Sequence, residues 1–453
     1  MKKKTKFTFS TTQIIMLSFL IVILLGSALL SLPISTQSGK PVAYIDALFT
    51  STTATCVTGL VTLPTVTTWS VFGQIVILVL IQIGGLGVIT VMAGFMVALH
   101  AKLKLKDSLL ISDAFNLNSL SGLTNFVKKV FIGTFIIEGI GALMYMPVFI
   151  PDFGVKGIWI SIFNSISAFC NAGIDIVAEN SLCNYALNPL INVTTSILII
   201  LGGLGYIVWW DIIRVLKNAK KLKFKCFSAL TLHSKIVLTA TLILIFGGAI
   251  MILIAEYNNP LTIQGYSFFN KLQLSFFQSI TTRTAGFATI PQENLSNTSA
   301  IISSFLMFIG GSPVGTAGGI KTVTIVVLIA TAHSAIKNKN EVSLFNRSLS
   351  SQVTKKAVAV TVMSFAIMFL STVLLSVVTN APALDIFYEA VSATATVGLS
   401  RNLTSTLDLF GKMIITATMY FGRIGPISLA IAFTSKKEIT NNIKNPTEEI
   451  SVG

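Results

Sequence analysis

Four short segments of this chain end in the same kind of small, polar turn, and their recurrence limits the folds open to it more than any other feature. The turns are Thr55-Cys56-Val57-Thr58-Gly59, Phe169-Cys170-Asn171-Ala172-Gly173, Thr282-Arg283-Thr284-Ala285-Gly286 and Thr394-Ala395-Thr396-Val397-Gly398. Their terminal glycines follow one another at intervals of 114, 113 and 112 residues. An aromatic residue precedes each glycine by ten positions: Phe49, Phe163, Phe276 and Tyr388. Self-similarity at a fixed period marks a repeat architecture. The chain therefore reads as four copies of one unit, each with a single glycine-ended hairpin, and four such hairpins about an axis make a ring.

Composition decides the solvent around that ring. Apolar residues form 53% of the chain, charged residues 11%, and the mean hydropathy is +0.81, a balance that excludes an ordinary soluble protein. Apolar runs long enough to cross a bilayer of about 30 Å lie near 11–33, 71–99, 126–150, 189–213, 235–256, 299–334, 356–379 and 407–434. Eight spans, two per copy, divide the chain into repeats at 1–99, 100–217, 218–334 (with a broken inner helix) and 335–435, followed by a tail at 436–453. The expected fold is an all-α membrane protein of four parallel units, each a helix, a re-entrant pore hairpin and a second helix, around a pseudo-fourfold pore.

Lys and Arg in excess mark cytoplasmic loops. The amino terminus (Lys2, Lys3, Lys4, Lys6), segments 100–130, 214–235 and 335–356, and the tail hold 24 of the 32 basic residues. Both termini are thus expected in the cytoplasm, with all four turns on the outer side of the cell (plasma) membrane. The net charge of +15 flanks hydrophobic spans and forms no polar domain, so it reads as topology and not as nucleic-acid binding. The apolar run Ile14 to Leu32 exceeds a signal-peptide core of about 7–15 residues and is expected to be retained as a span. Cys56, Cys170, Cys183 and Cys226 have no metal-type spacing. Cys56 and Cys170 read as small residues at close-packed turns, and a Cys170–Cys183 disulfide is disfavoured. His100, His233 and His333 read as interfacial residues at cytoplasmic helix ends.

One copy read closely explains the pore. After the first span, Val42 to Ala54 spaces its apolar residues like a helix but is too short to cross. The turn, an irregular segment with Pro64, and the second span from Val71 follow. Non-helical backbone at membrane depth is tolerated only where it is buried in protein or lines a water-filled cavity. Carbonyls of four such turns can replace the hydration shell of a cation. Glycine reaches the backbone angles this needs, and the carboxyl ends of the half helices add negative partial charge.

The third inner helix is interrupted by Gly310-Gly311-Ser312-Pro313-Val314-Gly315-Thr316-Ala317-Gly318-Gly319-Ile320-Lys321-Thr322. Five glycines and a proline within ten residues break a helix in mid-membrane. A phosphate loop is a poor alternative, since the Gly-Lys-Ser/Thr ending is absent and no strand precedes it. Gly84-Gly85-Leu86-Gly87 and Gly202-Gly203-Leu204-Gly205 occupy related places in the first two inner helices, with close packing as their default role and hinging as the second.

The two-span-plus-hairpin unit, the four single glycines and the glycine-rich third inner helix resemble the Trk/Ktr/HKT superfamily of potassium transporters. Eight spans without a further amino-terminal pair are most similar to the bacterial Ktr membrane subunits (KtrB). The resemblance covers nearly the whole chain. It implies potassium uptake through a selectivity filter made by the four turns, stimulated by sodium, with potassium as substrate and no cofactor bound by this chain. It further implies a homodimer in the membrane lipid, with the ending Ile450-Ser451-Val452-Gly453 at its interface. A cytoplasmic ring of regulatory subunits, which carry the nucleotide, completes the implied assembly, and the basic loops are plausible docking surfaces for it.

The same resemblance implies that Gly310, Gly311, Gly315, Thr316, Ala317, Gly318, Gly319 and Lys321 belong to an intramembrane gate loop, with Arg423 beside it. From the residues alone, Arg423 in the fourth inner helix needs a cavity or a partner. It either pairs with Glu138 or faces the pore, the latter preferred. Lys321 is either an internal charge or a residue snorkelling to the surface. Arg283 breaks the uncharged pattern of the turns and is expected to point away from the axis, pairing with Asp175, Glu179 or Glu389.

A sodium-selective uniporter of the same fold is the nearest alternative, with Gly59 in place of serine arguing for potassium. A secondary carrier of a small organic solute predicts one substrate pocket at a repeat interface and not four equivalent hairpins. An embedded enzyme needs an acid, base or metal cluster at one depth, and the sequence offers none.

Overall fold

A computed structural model describes residues 11–98, 123–339 and 341–425. The amino-terminal lysines, most of the basic segment 100–130 with the boundary between the first two repeats, and the tail 436–453 lie outside them.

Four long helices, α1 (Thr11–Leu30), α5 (Leu123–Phe153), α9 (Leu232–Glu256) and α13 (Ser351–Val378), are each followed by a short one. The short ones are α2 (Tyr44–Cys56), α6 (Lys156–Phe169), α10 (Phe268–Thr281) and α14 (Ala383–Ala395). At a rise of about 1.5 Å per residue, 13 or 14 residues fall well short of a bilayer. The long helices are apolar yet only 22–44% buried over their most hydrophobic windows. Leu25, Leu143, Ile243 and Phe365 stand exposed on them, as suits contact with lipid.

A third set of helices follows each turn: α3 (Val71–Leu86) with α4 (Val88–Ala98), α7 (Pro189–Leu204) with α8 (Tyr206–Lys217), α11 (Asn297–Phe308) with α12 (Thr322–Ile336), and α15 (Leu409–Ile424). The third of these is broken, as expected, and glycines interrupt or end the others. Gly87, Gly205 and Gly425 take φ of 85°, 88° and 90°, where L side chains are strained, and each ends its helix. The bend between α7 and α8 is 99°. By length and composition four helices among the described residues can cross a membrane, or five with that bent pair counted as one. The chain between α12 and α13 holds a two-residue antiparallel pair, Ser343–Leu344 with Arg347–Ser348, so the described residues are helical with one small hairpin.

The units close into a ring. The inner helix of each copy packs on the short helix of the next: α3 on α6, α7 on α10, α11 on α14, and α15 back on α2. Lys412 in α15 pairs with Asp46 in α2 at 2.6 Å across that closure. Equivalent serines bind the short helices to the long ones: Ser51 Oγ donates to Ile23 O at 2.7 Å, Ser165 Oγ to Glu138 O at 2.6 Å and Ser279 Oγ to Ile245 O at 2.8 Å. Glycines make room for them, because a Cβ at Gly26, Gly141 or Gly248 would lie under 3.0 Å from those serine oxygens.

Candidate ion pathway

Each short helix ends in the same way. The residue two before the terminal glycine is left-handed although it carries a side chain: Val57 (φ 56°), Asn171 (58°), Thr284 (66°) and Thr396 (52°). Such residues cost roughly 1–2 kcal/mol each, so surrounding contacts must hold them. A hydroxyl five or six positions before each glycine does so. Thr53 Oγ1 accepts from Gly59 N at 2.9 Å, and Ser392 Oγ accepts from Gly398 N at 3.0 Å. Ser167 Oγ donates to Ile174 O at 2.5 Å, and Thr281 Oγ1 donates to Phe287 O at 2.6 Å. The reading of the sequence missed these clasps, although a Ser or Thr at that offset in every copy was a visible signal.

The four glycines converge. A Cβ on Gly59 would meet Ala172 O, one on Gly173 Ala285 O, one on Gly286 Val397 O, and one on Gly398 Thr58 O, each under 3.0 Å. In every case the obstacle is the carbonyl of the residue before the next copy's glycine. All four glycines have positive φ, of 95°, 66°, 83° and 98°. The ring therefore has no room for side chains and sets four equivalent carbonyl oxygens beside it. Thr55, Thr58, Thr284, Thr394 and Thr396 add buried hydroxyls with no protein partner.

On one side of the ring lies a cavity of about 460 Å3 lined by all four glycines and by Asp175, Glu179 and Glu293, with no Lys or Arg. Asp175 Oδ1 accepts from Val177 N at 3.3 Å. Burial pushes its carboxyl up to about 6, opposed by hydrogen bonds from Ser181, Val177 and Ala178.

On the other side a second, inner cavity beneath the glycine-rich loop, of about 300 Å3, is lined by Gly85, Gly87, Gly315, Ala317, Gly318, Gly319, Lys321, Thr394 and Arg423 among others. The broken segment 310–321 projects into it as a loop closed at its neck, where Gly310 N donates to Ile320 O at 2.9 Å and Thr322 N to Gly311 O at 3.0 Å. The bend of the second inner helix cradles this loop. Ser312 N donates to Gly203 O at 2.9 Å, Thr316 N to Gly202 O at 3.2 Å, and Tyr206 N to Val314 O at 3.0 Å. Thr316 Oγ1 adds contacts of 3.1 Å to Phe169 O and 3.2 Å to Asn171 Oδ1, so the loop touches the second turn directly.

The charged residues resolve as follows. Arg423 donates from Nη1 to Thr316 O at 2.6 Å and from Nη2 to Gly84 O, joining the fourth inner helix to the loop and to the first inner helix. The alternative pair with Glu138 is not made. Glu138 instead accepts from Gln82 Nε2 at 3.3 Å and from the Cys170 thiol at 3.8 Å. Lys321 turns inward to the loop, its Nζ donating to Ala317 O at 2.6 Å.

Arg283 lines neither large cavity. It turns behind the third turn into a space of about 10 Å3 shared with Ile199, Thr241, Ile245 and Gly311. The expected ion pair is a correction: among the described residues Arg283 meets none of Asp175, Glu179 and Glu389, and its Nε has no partner. Glu389 is taken by Ser400 Oγ at 2.6 Å and by Thr404. All four cysteines are free.

Gly84 and Gly202 serve close packing, since a Cβ at either would strike Thr55 O or Phe169 O. Gly422 stands likewise against Thr394 O. Gly87 and Gly205, three residues further on than the first two, are the breaks. Close packing thus accounts for Gly84 and Gly202, and a helix end for Gly87 and Gly205.

A family model described as TrkH, cation transport protein, matches residues 1–444. The chain is 37% identical to the potassium/sodium uptake protein NtpJ of Enterococcus hirae over 100% of this chain and 99% of that one. It is 39% identical to the Ktr system potassium uptake protein B of Bacillus subtilis over 98% and 97%. The solved potassium transporter TrkH of Vibrio parahaemolyticus shares the fold, with TM-score 0.74 and 15% identity over 96% of this chain and 86% of that one. The class is a multi-pass membrane cation transporter, not an enzyme. Within that class the chain belongs to the TrkH family of cation transport proteins.

Proposed function

We propose that this chain takes up potassium across the cell membrane through one pore per chain, with Thr55–Gly59, Phe169–Gly173, Thr282–Gly286 and Thr394–Gly398 as its selectivity filter. The observation that carries the reading is the cyclic contact of each glycine with the carbonyl before the next copy's glycine. That ring stands between an outer cavity lined by three carboxylates and an inner cavity under a glycine-rich loop. A dehydrated monovalent cation is the species that rings of carbonyl oxygens select. Eight crossings in four parallel units, both termini in the cytoplasm, agree with the placement of basic residues.

The loop 310–321 with Arg423 is the gate in this reading. Its backbone occupies the cavity that an ion must traverse, and Arg423 holds it at Thr316 O. Homodimer formation, sodium stimulation and control by a nucleotide-binding cytoplasmic subunit complete the proposal. They rest on the likeness to Ktr system proteins.

A second reading, sodium uptake by the same pore, is favoured by one observation: the similar NtpJ is a potassium/sodium uptake protein. Rubidium uptake into proteoliposomes, competed by sodium or potassium, separates the two. Potassium is expected to displace rubidium and equimolar sodium to leave it nearly unchanged. Block by equimolar sodium would overturn the potassium assignment.

A further inference from the structure

The inner cavity holds two basic side chains, Lys321 and Arg423, and no carboxylate among its lining residues. Between them they cap three consecutive carbonyls of the loop. Arg423 Nη1 is 2.6 Å from Thr316 O, and Lys321 Nζ is 2.6 Å from Ala317 O and 3.5 Å from Gly318 O. Lys321 is also the N-cap of α12, where the helix dipole disfavours a cation. Its ammonium group gains nothing from its own helix, and the loop carbonyls are what hold it.

An ammonium group bound to backbone carbonyls is the chemical counterpart of a desolvated potassium ion, because both satisfy carbonyl oxygens with a compact monovalent charge. We infer that the Ala317 and Gly318 carbonyls form an internal site for a monovalent cation, and that the Lys321 ammonium occupies it as a tethered substitute for the transported ion. The inference rests on the pore reading above and deepens it. Transport then requires the Lys321 side chain to leave, and an ion coming through the ring takes its place on the same two oxygens. Arg423 is distinct, since it reaches across to another helix and clamps the loop, whereas Lys321 blocks from within the loop itself.

The test compares the native chain with Lys321→Met, which keeps the length and removes the charge. Lys321→Ser is the second variant, because serine is a favoured N-cap and protects the start of α12. Crystals of each are grown in rubidium, and rubidium is located by its anomalous scattering. Rubidium uptake is measured alongside in proteoliposomes. The expected result is rubidium at the glycine ring in all three proteins, rubidium between Ala317 O and Gly318 O only in the variants, and uptake raised about tenfold. Rubidium at the ring but absent from the loop carbonyls of both variants overturns this inference and leaves the pore reading standing. Rubidium absent from the ring in every protein overturns the pore reading and this inference with it.

Discussion

Gly59→Ser is the sharpest single perturbation of the ring. At φ of 95° any L side chain carries strain of about 1–2 kcal/mol. The added Cβ would also lie 2.6 Å from Ala172 O, 3.2 Å from the Gly398 Cα and 3.3 Å from the Gly173 Cα. Two neighbouring copies are touched at once, and to reach even 3.0 Å the carbonyl must retreat by about 0.4 Å in a packed interior that resists such shifts. Overpacking of this kind costs about 1–3 kcal/mol, and the ring relaxes by opening. If about 1.4 kcal/mol of that falls on the preference for the larger ion, discrimination drops tenfold. Gly39→Ser is the control: its φ is 67°, but nothing lies within 4 Å, so it carries the strain without the contact. The assay is rubidium uptake in proteoliposomes against rising sodium, with insertion checked by the amount of reconstituted protein. Native-like discrimination in well-inserted Gly59→Ser, or an equal loss in Gly39→Ser, would refute the reasoning.

Three further outcomes are expected. Deleting Gly315 to Gly319 removes much of the loop that lines the inner cavity and should raise rubidium flux, whereas unchanged flux in a folded deletion counts against a gate. Gly202→Ala would strike Phe169 O and press on Asn171 Oδ1 at 2.6 Å and Thr316 Oγ1 at 2.8 Å, while at neighbouring Gly203 the nearest atoms are 3.7 and 3.9 Å away. A thermal unfolding assay should therefore find Gly202→Ala destabilised by about 1–3 kcal/mol and Gly203→Ala close to native; equal midpoints would contradict the packing. The Asp175 carboxyl, raised by burial to about 6, loses its charge as external pH falls through that value. The KM for rubidium should rise over the same interval in the native chain. Since the folded value exceeds the ordinary one of 3.8, ionisation also costs stability as pH rises toward 6, so acidification through this range stabilises the fold at this group. Asp175→Asn should flatten the pH dependence of KM, and a KM that still tracks pH in that variant would assign it to another group.

Most of the candidate ring was legible because its constraints are local and repeated. A turn residue forced to positive φ, a half helix too short to cross and a span beside it each leave a mark within about twenty residues. Fourfold repetition raised that mark above accident. The inner-helix breaks were half legible: Gly-Gly-Leu-Gly was visible, but the same residues serve packing and bending, and nothing nearby in sequence separates them. Lys321 and Arg423 were ambiguous for a related reason. A charge in an apolar span announces that a partner exists, not which one.

By itself, the sequence determined the number of copies, the positions of the half helices and the glycines that must take special angles, because those follow from steric and solvation rules acting over one turn or one span. Tertiary structure alone decided the ring closure of α15 on α2, the pairing of each glycine with the next copy's carbonyl, and the destinations of Arg283, Lys321 and Arg423. These are contacts between residues about a hundred or more apart, or choices among several oxygens within reach, and packing selects among them only when the whole ring is assembled. Arg283 is the clearest instance. Its exceptional character was plain from the chain, yet its neighbours are mostly apolar residues of the second and third copies, with Thr241, and not the carboxylates expected from charge alone.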